Sequence, residues 1–134
     1  MSKNKLEMKF TNEEINLSKK VAGRHIKEVK YGEWYLLNDK PILCAYANKG
    51  FHKYLEEKDA IIPIWTISDC LEFLRERAIY LESLCQTDEC EYMFAICERD
   101  DLGLVKGTTR LFEGETPLEA CLKAVLAVLE EDAK

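Results

Sequence analysis

The stretch Gly114-Glu115-Thr116-Pro117-Leu118-Glu119-Ala120-Cys121-Leu122-Lys123-Ala124-Val125-Leu126-Ala127-Val128-Leu129-Glu130-Glu131 decides how the rest of the chain is read. Thr116 suits an N-cap, Pro117 the first helical position, and Glu119 the third, where a capping box places its carboxylate. Between Leu118 and Leu129 only Glu119 and Lys123 are polar. They stand four apart in the favourable acid-before-base order, on one narrow stripe that Glu130 continues. A helix apolar over the rest of its circumference must be covered there, so it is the expected core of the domain.

Two further helices carry the same kind of start signal. Thr11-Asn12-Glu13-Glu14 opens a helix expected to run to about Ala22, with Gly23 at its end and Ile15, Leu17, Val21 and Ala22 on its apolar side. Thr66-Ile67-Ser68-Asp69 opens another, with Trp65 placed to staple against Cys70. Ile67, Cys70, Leu71, Leu74 and Ala78 keep helical spacing along it, while Glu72, Arg75 and Glu76 fall on the other side.

The intervening segments read as strands. Glu33–Asn38 and Pro41–Ala47 flank Asn38-Asp39-Lys40 as a hairpin; Phe51, Tyr54 and Leu55 fit one helical turn, and Asp59–Pro63 reads as a connector. Ile79–Cys85 alternates, and Gly107–Phe112 forms a last strand before the final helix. Tyr92–Cys97 is apolar without alternation, the pattern of a strand covered on both faces. The expected fold is α+β: a mostly antiparallel sheet of four to five strands with helices packed on both faces, an α/β/α sandwich. It forms one domain over residues 1–134, with 1–10 loosely held.

With 47% apolar and 33% charged residues in 134, the chain has the profile of a soluble globular protein. No run approaches a membrane span, and Met1–Lys5 leads into no signal-like segment, which points to a cytoplasmic protein with no membrane partner. Its six cysteines then read as reduced, small hydrophobes. The net charge of −6 is unevenly spread: residues 1–30 carry eight Lys/Arg against four Asp/Glu, and the remainder eleven against twenty-one. A segregated basic segment (Lys19, Lys20, Arg24, Lys27, Lys30) suits a nucleic-acid contact, its own acidic body, or a neighbouring subunit. The overall acidity favours the latter two, because an acidic body repels phosphates.

Residues able to carry chemistry are scattered. Cys85-x4-Cys90-x6-Cys97 is wider than a zinc knuckle and lacks a fourth ligand, so no metal is expected there. Cys70 falls in the first turn of a helix, where a thiol can be activated, but on its apolar face. His25 and His52 have no partner in sequence, and Asp88, Glu89, Glu98, Asp100 and Asp101 read as solvated turn charges without calcium-loop spacing. Gly103–Gly107 lacks the Lys-Ser/Thr ending of a phosphate loop. No catalytic residue and no cofactor are therefore assigned. Trp34 and Tyr35, with Tyr46, are the aromatic residues best suited to an interaction surface.

Ile15-x5-Val21-Ala22-Gly23, together with Gly114, Thr116, Pro117, Ala120, Cys121 and Ala124, resembles the phage ABA-sandwich domain, a group of small phage and prophage proteins. The resemblance spans residues 11–129 and rests on helix-start and packing residues. It implies helices on both faces of an antiparallel sheet and no established activity. A second resemblance, confined to Gly114, Thr116, Glu119 and Ala120, is to the C-terminal motif of HicB-type antitoxins; a capping box accounts for the same residues.

The expected function is that of a phage- or prophage-derived accessory protein that binds a protein or a small molecule without catalysis, as a homo-oligomer. The alternatives are a nucleic-acid-associated regulator using residues 19–30, and a small-molecule enzyme built around His25, His52 or Cys70.

Overall fold

The computed structural model describes residues 10–25, 33–37, 40–43, 61–89 and 91–132. Along these run α1 (Asn12–Ala22), β1 (Trp34–Leu37), β2 (Lys40–Leu43), β3 (Ile61–Pro63), α2 (Ile67–Arg75), β4 (Ile79–Gln86), β5 (Tyr92–Arg99), β6 (Val105–Gly114) and α3 (Pro117–Asp132). The fold is α+β. Its strands form two antiparallel three-stranded sheets, ordered β2-β1-β3 and β4-β5-β6, rather than one sheet of four or five. The difference comes from β3, which lies in the expected connector and pairs with β1 through Leu36–Ile62.

The three described helices start where their sequences place them. Thr11 accepts from Glu14 N and Glu14 answers to Thr11 N; Thr66 and Asp69 repeat the exchange for α2. Pro117 opens α3 behind Thr116, whose hydroxyl accepts from Glu119 N at 3.1 Å. The end of α2 departs from expectation. The helix stops at Arg75, and Ala78 is an exposed residue with φ of 59° rather than part of the apolar stripe. The left-handed turn there sends the chain directly into β4.

The core gathers on α3. Ala120, Cys121, Leu122, Ala124, Val125, Val128 and Leu129 are buried along it, and they pack with Leu17 and Val21 of α1, Cys70, Phe73 and Leu74 of α2, and Phe94 and Ile96 of β5. All three described helices join this one cluster. The second helical layer expected from β5 is not among the described elements. Ala95 and Cys97 are nevertheless buried on the alternate face of β5, beside Leu111 of β6, which is 58% exposed. Both β5 ladders carry an irregularity, one at Leu81/Ser83 and one at Ile96/Glu98.

Gly114 marks the tightest passage. A Cβ there would stand 2.7 Å from both Ala120 N and Glu119 Cβ, so only glycine lets β6 turn so closely beneath the first turn of α3.

Candidate ligand-binding cleft

A hollow of about 340 Å³ lies where the starts of α1, α2 and α3 meet the β1–β3 edge. Its volume falls within the roughly 300–1,000 Å³ typical of small-molecule sites. Phe10, Trp34 and Trp65 supply aromatic walls, Ile64, Ile67, Pro117 and Leu118 aliphatic ones, and Glu14, Thr66, Ser68 and Thr116 the polar groups. Both tryptophans of the chain therefore line the same cleft.

Local structure fixes each wall. Ile64 N donates to Trp34 O at 3.1 Å, extending the β1–β3 pairing and holding Trp34 beside the connector that leads into α2. Phe10 meets Trp34 edge-on, with ring centroids 5.8 Å apart and planes at 70°. Trp65 is buried with its ring edge-on to Phe73 at 5.4 Å and to His25 at 5.8 Å. Stacking of this kind anchors the ring from behind.

The polar floor is built by two helix caps that share their groups. Thr11 Oγ1 donates to Glu119 Oε1 at 2.6 Å, and Thr116 Oγ1 donates to Glu14 Oε2 at 2.7 Å. Each glutamate also serves its own helix start: Glu14 Oε1 accepts from Thr11 N, and Glu119 Oε2 from Glu115 N, both at 2.7 Å. Glu14 is 6% exposed and Glu119 2%. The Glu119–Lys123 pairing expected from sequence is thus replaced. Glu119 turns inward to Thr11, and Lys123 Nζ donates to Glu113 O at 2.7 Å.

Other sequence candidates are dispersed. Trp34 is half-buried in the cleft wall, but Tyr35, expected beside it at a surface, is 5% exposed and part of the interior. The strand alternation sends neighbours to opposite sides. Lys19, Lys20 and Arg24 lie along the last turn of α1 and just past it, Lys20 and Arg24 exposed and Lys19 half-buried. Lys27, Lys30, Cys44, Tyr46, His52 and Cys90 lie outside the described residues. Cys85 is exposed opposite Met93 and Cys97 is buried opposite Tyr80, toward the two ends of the β4–β5 ladder. No group of three or more metal-ligating side chains occurs among the described residues. Cys70 is fully buried in the core, and burial raises the neighbouring core thiol of Cys121 from 9.0 to about 12. His25 is exposed and makes ring contacts with Trp65 and Phe73. Asp100 closes the β5–β6 turn, its Oδ1 accepting from Leu102 N and Leu104 N.

Of the residues lining the cleft, the sequence pointed only to Trp34 as part of an interaction surface; Phe10, Glu14, Trp65 and Thr116 are among those it did not assign to a site. The legible signal was the repetition of Thr-x-x-Glu at 11–14 and 116–119. No helix among the described residues is long and apolar enough to cross a membrane. No protein-family model, no curated protein and no solved structure matches the chain.

Proposed function

We propose that this chain acts by binding, and that the cleft between Phe10, Trp34 and Trp65 is where it takes its ligand. The observation that carries this reading is the convergence of three aromatic residues on one open, apolar hollow anchored by helix caps. Such a surface binds well because its rings are held before the ligand arrives. In this reading a second helical layer covers the alternate face of β5, as the phage-domain resemblance implies. Calorimetric titration with indole, a neutral aromatic probe, tests the reading. Saturable binding that Trp34→Ala abolishes, with the circular dichroism unchanged, supports it; undiminished binding in that variant contradicts it.

The protein acts as a homo-oligomer in this account. Support comes from the ordered β5–β6 turn, which presents Leu102 at 84% and Leu104 at 62% exposure. Leucines so displayed on a hydrogen-bonded turn suit a subunit contact. Light scattering with Leu102→Ser/Leu104→Ser tests this: the variant should be monomeric where the parent chain is not, and an unchanged mass contradicts the assignment.

A further inference from the structure

We propose that the cleft takes an organic ammonium ion, a quaternary or methylated amine, with its cationic head among Phe10, Trp34 and Trp65 and in the field of Glu14. The inference rests on the reading of this cleft as the ligand site and names the chemistry of what enters it.

Glu14 brings to the cleft wall a carboxylate that no cationic side chain among the described residues meets. Glu14 is buried, and its oxygens accept from Thr11 N and Thr116 Oγ1. Glu119 behind it is likewise held by neutral donors alone. The start of α1 favours this carboxylate, and a cationic ligand would add the counter-charge that the described side chains do not supply.

The ring arrangement supplies the second argument. Phe10 and Trp34 stand at 70° with centroids 5.8 Å apart, and Trp65 adds a further aromatic wall. Aromatic rings gathered around one hollow are the side chains that attract quaternary ammonium groups.

The third argument distinguishes among cations. A primary ammonium brings three N–H donors and a tight hydration shell. The lining is mostly apolar; Glu14 already accepts from Thr11 N and Thr116 Oγ1, and Thr116 Oγ1 already accepts from Glu119 N. A lysine-like head would leave donors unmet, whereas a trimethylammonium head has none to satisfy. The net charge of −6 adds a long-range field that favours arrival of a cation.

The test compares choline with 3,3-dimethylbutan-1-ol, which has the same shape with carbon in place of charged nitrogen. Tryptophan emission reports on the cleft because both tryptophans line it. Choline should bind at least about tenfold more tightly than its neutral isostere. Glu14→Gln, which keeps a capping-box acceptor, should bring the two within about threefold while leaving the helix content unchanged. Equal or tighter binding of dimethylbutanol overturns the inference, as does a preference for choline that survives Glu14→Gln. If indole binds and choline does not, the ammonium assignment falls and the binding site stands. If none of the three perturbs the tryptophans, both fall.

Discussion

Thr11 and Glu119 are 108 positions apart in the chain and 2.6 Å apart in the fold, hydroxyl to carboxylate. Thr116 and Glu14 repeat the relationship at 2.7 Å in the opposite sense. Each threonine accepts from its own helix and donates to the glutamate of the other, so the two helix caps act as one clasp joining the first and last helices. A capping threonine ordinarily contributes about 1 kcal/mol. Here its proton also satisfies a buried carboxylate, and a buried acceptor that loses its donor costs about 1–3 kcal/mol.

Glu119→Ala should therefore destabilise the protein by about 3 kcal/mol, since Glu115 N and Thr11 Oγ1 both lose their acceptor. Thr11→Ala should cost about 2 kcal/mol. In urea denaturation the double variant should fall short of the sum of the singles by more than about 0.5 kcal/mol, the mark of a shared interaction. Strict additivity would show that the clasp is not energetically coupled.

Gly114→Ala should cost about 1–3 kcal/mol, because its Cβ would meet Ala120 N and Glu119 Cβ at 2.7 Å and push the clasp apart. Thermal denaturation checks this, and the emission of Trp34 and Trp65 should change with it because Thr116 and Leu118 border their cleft. A variant as stable as the parent would mean that β6 can shift without penalty.

Ala78 holds a left-handed backbone, with φ of 59°, at the turn from α2 into β4. Ala78→Gly should stabilise the protein by about 1 kcal/mol, as relief of the Cβ–carbonyl contact outweighs the entropy glycine adds to the unfolded chain. A lower urea midpoint for the variant would contradict that sign.

Burial in the core raises the Cys121 thiol from 9.0 to about 12. The unfolded chain ionises first, so the contribution of this group is whole below pH 9 and is lost as the pH climbs toward 12. Across that window stability should fall by about 1.4 kcal/mol per pH unit on account of this thiol. Cys121→Ala should show a correspondingly shallower decline in equilibrium denaturation between those limits; an identical slope would show that other groups govern it.

Much of this fold was legible locally. The three Thr-x-x-acid starts, Pro117 and the apolar run from Ala120 to Leu129 are signals within a few residues, and each helix begins where they place it. Pairing is less local. Ile61-Ile62-Pro63 has the length of a connector, and only Leu36 and its neighbours on β1 make it a strand. Glu119 read as a partner of Lys123, four residues away, while the hydroxyl that binds it comes from the far end of the chain. The cleft was hidden for the same reason: Phe10, Trp34, Trp65 and Leu118 come from four separate segments. Trp34 stood out by composition, but its role as a wall depends on Ile64 N binding its carbonyl.

The central claim is that the aromatic cleft is the ligand site. Nuclear magnetic resonance of the nitrogen-15-labelled protein tests it most directly, because the chain has two indole N–H groups and both belong to residues lining the cleft. On titration with unlabelled indole both cross-peaks should move together and saturably, with the backbone amides of Ile67, Ser68 and Leu118 following. Shifts confined to residues elsewhere, with both indole signals stationary at saturation, would contradict the account.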